Sequence, residues 1–184
     1  MSFDNTITRD ITRDDIERVH TFILEEQGRA AYECDKKFIE AGLEKGFFRI
    51  DGEIHYSYEE EGPSSKSDYL KWIVDSEGLQ FGKIAVLNGK ILGVLLCYTQ
   101  PENRKAFLSN IAVARHHRRK GIGSILMNEL LRFYRAKSGI ETIELNVALT
   151  NSIAVKFYLE HNFKIAELRD TGYTMQYALV NMKI

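Results

Sequence analysis

The run His117-Arg118-Arg119-Lys120-Gly121-Ile122-Gly123-Ser124 joins an apolar stretch, Phe107 to Val113, to an amphipathic pattern extending from Ile122 to Tyr134. The apolar stretch has the length of a strand and the amphipathic one the spacing of a helix, so the chain must pass from strand through a basic, glycine-containing turn into helix. That junction builds an anion site from backbone. The first N–H groups of a helix have no partner inside it, the helix dipole adds partial positive charge there, and glycines let a phosphate approach closely. Three adjacent cations, Arg118, Arg119 and Lys120, add to the attraction.

Periodicity organises the rest. Thr6 to Ile11 reads as a short strand. Thr12-Arg13-Asp14-Asp15 is a helix start with acids in the first turn, leading into Ile16, Val19, Ile23 and Leu24 at helical spacing. A second helical pattern covers Ala31 to Leu43. Phe47 to Ile50 and Glu53 to Tyr58 flank Asp51-Gly52 as a hairpin, and Ser67 to Val74 predicts a further helix. Phe81 to Leu87, Asn88-Gly89 and Lys90 to Tyr98 form a second hairpin, because Asn-Gly suits the two positive-φ positions of a tight turn. The strand at 106–113 and the helix at 121–135 follow. Thr142 to Leu149 alternates apolar and polar residues like a half-buried strand. Asn151 to Glu160 is a helix with Ile153, Ala154, Phe157 and Tyr158 as its inner stripe. Phe163 to Leu168 and Tyr173 to Met182 are the last strands. The order predicts an α/β (α+β) domain: a mixed sheet of about seven strands with flanking helices.

With 184 residues the chain fits one domain over 1–184, with a substrate-side insertion at about 44–80. A net charge of −1 supplies no global basic field, which argues against nucleic acid as partner. The cations are concentrated at Arg115 to Lys120 instead, and that suggests one discrete anionic ligand. Cys34 and Cys97 have neither CxxC nor metal-ligand spacing, so no metal is expected and the thiols read as reduced residues of a cytoplasmic protein. No apolar run approaches about 18 residues and the N-terminus lacks a charged-then-apolar signal, so no membrane partner is expected.

The ligand can be narrowed by elimination. GxxxxGK[ST] is absent, and Gly121-Ile122-Gly123 is followed by Leu126 where a dinucleotide fold needs its third glycine. Arg118-Arg119-Lys120-Gly121-Ile122-Gly123 does fit [Q/R]-x-x-G-x-[G/A], and resembles the acetyl-coenzyme A pyrophosphate loop of the GNAT N-acetyltransferase superfamily. Leu108 to Val113 resembles that superfamily's fourth strand. Asn151-x-x-Ala154-x-x-Phe157-Tyr158-x-x-x-Asn162-Phe163 resembles its second signature, with Asn162 replacing a glycine; asparagine is the next-best left-handed residue after a helix. The resemblance covers roughly residues 80 to 182.

It implies a mostly antiparallel sheet whose central strands splay, with the pantetheine arm of acetyl-CoA pairing to the backbone of Ile111, Ala112 and Val113. The amides of Arg119, Lys120, Gly121, Ile122, Gly123 and Ser124 hold the pyrophosphate beside Arg118, and Asn151 contacts the arm as well as capping its helix. The implied reaction is direct acetyl transfer to a small-molecule or protein amine in a ternary complex, with Tyr158 as general acid and a backbone N–H near Ile111 facing the oxyanion. Neither cysteine lies in the loop or the signature helix, so no acetyl-cysteine is expected. Some relatives place a glutamate base on the fifth strand where this chain has Asn146. Glu144, Glu25, Glu26, an acid of the insertion or water all stay open for that role. His116 and His117 read as surface residues flanking the loop. Tyr56, Tyr58 and Glu59 to Glu61 either line a cationic-amine pocket or form an ordinary exposed loop. A CoA-binding sensor without turnover is the rival reading, and the fold is compatible with a homodimer.

Overall fold

The computed structural model describes residues 6–23, 25–26, 47–50, 53–56, 74–75, 80–100 and 103–179. The expected helix at Ala31 to Leu43, most of that at Ser67 to Val74, Cys34, Tyr58 and the Glu59 to Glu61 run lie outside them.

Strand β1 (Ile7–Asp10) leads into a 3-10 turn (Arg13–Asp15) and helix α1, residues 16–23 continuing through 25–26. The Asp15 carboxylate accepts from the Thr12 N–H at 3.0 Å and the Thr12 hydroxyl at 2.8 Å, and Arg9 grips it through Nη1 and Nη2 at 2.5 and 2.8 Å. Those bonds from Arg9, reinforced by Thr12 and the Arg9 charge, hold the buried Asp15 carboxyl far below its usual range against the opposing effect of burial. Strands β2 (Phe47–Ile50) and β3 (Glu53–Tyr56) form a separate antiparallel pair, as the Asp-Gly turn predicts.

The main sheet takes up β4 (Phe81–Leu87), β5 (Lys90–Gln100), β6 (Lys105–Val113), β7 (Thr142–Ala148), β8 (Lys164–Leu168) and β9 (Gly172–Ala178), with α2 (Ile122–Arg135) between β6 and β7 and α3 (Ser152–Glu160) after β7. Its seven strands run β1-β4-β5-β6-β7-β9-β8, all antiparallel except β6 and β7. The parallel pair requires a crossover, and α2 provides it. Asn88 and Gly89 both take positive φ, 50° and 74°, so the β4–β5 hairpin is the tight turn its sequence demands.

Two cores flank the sheet. Leu126, Met127, Leu130 and Tyr134 of α2 are fully buried against Leu95, Ile143, Leu145 and Met175 on one face. Ile16, Val19 and Ile23 of α1 close the other face against Ile84, Val94, Leu96 and Ala112. Each such leucine, isoleucine, valine or methionine contributes about 1.5–3 kcal/mol by leaving water. Gly93 permits the close seating of α2. A Cβ there would lie 3.0 Å from Ile122 Cγ2 and 3.1 Å from Leu126 Cδ1, so the first turn of α2 rests directly on β5. One expectation is corrected. Ile153 does not belong to the inner stripe of α3 but is 83% exposed, and Val155 packs on the core in its place. The stripe begins only at Ala154 because Asn151 and Ser152 start the helix from an exposed turn.

Candidate functional site

The strands β6 and β7 pair at only three positions: Lys105 with Thr142, Ala106 with Ile143 and Phe107 with Glu144. From Leu108 onward β6 keeps its β5 partner but leaves β7. The register against β5 shifts at this point, with Leu96 opposite Asn110 and Cys97 opposite Leu108, so Ser109 is an extra residue. Such a bulge bends its strand and increases the local twist, a direct cause of the divergence. The Ser109 hydroxyl donates to the Leu96 carbonyl at 3.2 Å.

Alternation decides which β6 groups face the gap. The Ala114 N–H bonds the Leu92 carbonyl at 2.9 Å, which turns Ala114 and, two residues back, Ala112 toward β5. The backbone polar groups of Ile111 and Val113 therefore turn away from β5, toward the gap. Of these the Val113 carbonyl is taken, accepting from Arg118 Nε at 2.9 Å.

Beyond β6 a 3-10 turn (Arg115–His117) leads to the basic loop. Arg119 at φ 60° and Gly121 at φ 86° are both left-handed. No side chain caps α2, and the first amide to bond within it is Ile125, to the Gly121 carbonyl at 3.0 Å. The amides of Ile122, Gly123 and Ser124 have no partner inside the helix and present the positive end of its dipole. A Cβ on Gly121 would meet nothing within 4 Å, so that glycine is required by its φ. At Gly123 space is tight instead, since a Cβ would lie 3.3 Å from Phe157 Cε2, so any larger residue there would push on that ring. Through that contact the first motif meets the second.

In α3 the Asn151 side chain accepts from the Ala154 N–H at 3.1 Å, the expected cap, and Asn162 closes the helix at φ 65°. Tyr158 is 7% exposed, its ring 5.6 Å from Phe157 and 5.8 Å from Phe163. Burial pushes its phenol above the ordinary value, so the hydroxyl keeps its proton at neutral pH.

The base candidates are sorted by their partners. Glu144 Oε2 accepts from Lys105 Nζ at 2.9 Å and Gln176 Nε2 at 2.8 Å. Burial alone would raise this carboxyl, but those two bonds and the Lys105 and Arg169 charges outweigh it and hold it below its usual value. Glu26 Oε2 accepts from Arg118 Nη2 and from the Arg115 N–H, each at 2.9 Å. Glu25 is exposed on α1. Asn146 is exposed on β7 and its Oδ1 accepts from the buried Thr174 hydroxyl at 3.0 Å, which leaves the amide N–H₂ end to project outward. Sequence reasoning did not find the Glu26–Arg118, Lys105–Glu144–Gln176 or Asn146–Thr174 groups. Each joins residues 28 or more positions apart, where no local pattern reports them. His116 is exposed and His117 half-buried in the turn before the loop. Among the described residues no group of three His, Cys, Asp or Glu is placed to hold a metal ion, and no helix is long and apolar enough to cross a membrane.

A splayed parallel pair beside an uncapped helix, with the second signature packed against it, is the arrangement the resemblance implied. The sequence matches the acetyltransferase (GNAT) family over residues 45–163, and the chain belongs to that family. Among its relatives, the probable N-acetyltransferase san of Drosophila melanogaster is 27% identical over 114 residues, 60% of this chain and 61% of that protein. N-alpha-acetyltransferase 50 of Danio rerio is 24% identical over 96 residues, 51% of this chain and 57% of that one. The chain thus matches less than two thirds of the length of these relatives. Among solved structures, the PaiA N-acetyltransferase of Thermoplasma acidophilum, in complex with coenzyme A, superposes with a TM-score of 0.68 at 20% identity, covering 97% of this chain and 99% of that one. Mutant forms of the spermidine/spermine N-acetyltransferase SpeG of Vibrio cholerae superpose with a TM-score of 0.62 at 18% identity, covering 95% and 94%. These two likenesses concern the fold.

Proposed function

We propose that the protein is an N-acetyltransferase that moves an acetyl group from acetyl-CoA to an amine in a ternary complex. One observation carries this reading: the gap between β6 and β7 opens beside the uncapped amides of Ile122, Gly123 and Ser124. The residues present fit the co-substrate. A diphosphate is met by those amides and by Arg119 and Lys120, and an amide-bearing arm by the edge groups of Ile111 and Val113. Ala112 contributes through its place between them, since its own backbone is directed at β5.

In the reaction the acceptor nitrogen attacks the thioester carbonyl carbon. A C–N bond forms, the C–S bond breaks, one proton leaves the nitrogen and one is needed at sulfur. A free amine with pKa near 10.4 is neutral only on the order of one part in a thousand at pH 7, a cost of about 4–5 kcal/mol. Glu144 and Glu26 are both engaged by donors, which leaves the exposed Glu25 and water to take the nitrogen's proton, and we assign that step to water. The Ile111 N–H, at the free edge, is the donor suited to the oxyanion. Tyr158 is the group suited to the departing sulfur. Burial raises its phenol, which therefore holds a proton more tightly than a thiol does, so Tyr158 passes its proton to sulfur only as it recovers, through water, the proton that leaves the nitrogen. The buried free thiol Cys97 suits a reducing compartment, in keeping with a cytoplasmic enzyme.

Coenzyme A release from acetyl-CoA is measured with a panel of amines that includes spermidine and a peptide with a free N-terminus. Acceptor-dependent release that falls sharply in Tyr158→Phe supports the reading. Coenzyme A binding without turnover on any acceptor overturns it in favour of a sensor on the same fold. An acetylated cysteine, Cys34 or Cys97, detected during turnover overturns direct transfer.

A further inference from the structure

We propose that Glu26 is a positioning residue for the cofactor loop, holding Arg118 and the Arg115 amide so that the 119–124 amides are arranged before acetyl-CoA arrives. This rests on the acetyl-CoA reading of the loop. A single carboxylate oxygen, Glu26 Oε2, accepts from Arg118 Nη2 and from the Arg115 N–H, each at 2.9 Å. The same Nη2 donates to the Glu26 carbonyl at 3.1 Å, and Arg118 Nε donates to the Val113 carbonyl at 2.9 Å. One guanidinium therefore ties together the far end of α1, the last residue of β6 and the loop.

The consequence for the loop is mechanical. Arg119, next in the chain, stands at φ 60°, a conformation that costs a non-glycine residue roughly 1–2 kcal/mol and must be held by its neighbours. Arg118, on its N-terminal side, is pinned by the bonds to Glu26 and Val113. Stability of the fold does not account for the arrangement. Arg118 is 47% exposed and Glu26 18%, and an ion pair so open to water contributes little to folding. Fixing a binding loop in advance lowers the ordering cost of association instead. The clamp also changes the charge of the site, because the Arg118 cation is balanced by Glu26 and is directed away from the loop amides. Finally, Glu26 lies on α1, the helix that packs on the sheet face opposite α2, so both faces of the sheet contribute to one loop.

The test uses the full chain, coenzyme A binding by calorimetry and steady-state kinetics on Glu26→Gln, Arg118→Lys and the double variant. Each single change is expected to raise the Kd for coenzyme A and the KM for acetyl-CoA about tenfold, with kcat within about twofold and Tm within about 2 °C. The double variant is expected to fall short of the sum of the two single effects, since both remove the Glu26–Arg118 pair while each also touches a bond of its own, to the Arg115 amide or the Val113 carbonyl. The inference is overturned by single variants that bind coenzyme A like the wild type, or by effects that simply add. It is equally overturned by a Glu26→Gln enzyme that loses kcat at unchanged Kd, because Glu26 would then serve the acceptor amine. A wild type that binds no coenzyme A overturns the acetyl-CoA reading itself, a result separate from all of these.

Discussion

The basic loop after β6 and the polar row across β6, β7 and β9 are built by opposite means. The loop acts through backbone: two left-handed residues, an uncapped helix and glycines whose value is a φ angle or a missing Cβ. The strand face acts through side chains joined across strands, Lys105 to Glu144 to Gln176 and Thr174 to Asn146. A backbone device tolerates many side chains and few changes of geometry. A side-chain device tolerates backbone drift and few changes of functional group. On the function proposed above, the first suits a donor that never varies and the second an acceptor that does.

That contrast can be broken most forcefully at Tyr158. Tyr158→Phe keeps the buried ring and removes the hydroxyl, so kcat is expected to fall roughly 100-fold or more while coenzyme A binding is unchanged. Equal losses in both would place the tyrosine with the loop. Gly121→Val is the complementary test. A β-branched residue at φ 86° costs roughly 1–3 kcal/mol, so the Kd for coenzyme A should rise about 10- to 100-fold although the added atoms meet nothing. A smaller effect than from Gly121→Ala would show that conformation is not what Gly121 supplies. Asp15→Asn tests the anchor of α1 by chemical denaturation, with an expected loss of about 2 kcal/mol at pH 7. The folded Asp15 carboxyl titrates below its unfolded value near 3.9, so its contribution is complete above that pH and fades as pH falls further toward the folded value. The gap between wild type and variant should therefore close below about pH 4, and a gap that widened there would contradict the assignment. Thr174→Val, nearly isosteric, frees the Asn146 amide and should raise the KM for the acceptor about fivefold, leaving the KM for acetyl-CoA alone.

What the sequence disclosed follows the same division. Asn88-Gly89, Gly121 to Ser124 and Asn151 to Phe163 are local patterns whose residue types suit the conformations they adopt, whereas Arg119 takes a left-handed conformation that its type disfavours. The existence of a gap follows from the resemblance of Leu108 to Val113 to a fourth strand, whereas the order of strands in the sheet is disclosed only by the structure. So is the bulge at Ser109, because nothing in Leu-Ser-Asn marks which residue leaves the ladder. Arg118 shows the limit most clearly. Its place in the motif marks it as an anion ligand, yet its guanidinium is directed at Glu26, 92 positions earlier in the chain. Glu144 and Glu26 are indistinguishable as base candidates in sequence, and only their donors separate them from a free carboxylate. Ile153 failed as a core residue for a related reason: a periodic stripe does not say where the neighbouring layer begins.

The smallest expected effect is the most informative about the strand face. If Glu144 were the base, Glu144→Gln would abolish an acidic limb in the pH dependence of kcat/KM and lower the rate by roughly 100-fold or more. The bonds from Lys105 and Gln176 argue otherwise. A carboxyl held below its usual value is ionised throughout the neutral range, and the oxygen that both donors share is not available to an incoming ammonium. Glutamine keeps a carbonyl oxygen for the same two donors but no longer neutralises Lys105. The expected result is a change in kcat/KM of less than about threefold, with the profile between pH 6 and 9 unshifted, because water rather than Glu144 carries the proton away. A lost or displaced acidic limb would reverse the reading of this face. The Lys105–Glu144–Gln176 row would then be a proton path that opens only with substrate bound, and the donors that now fix Glu144 would have to exchange partners during each turnover.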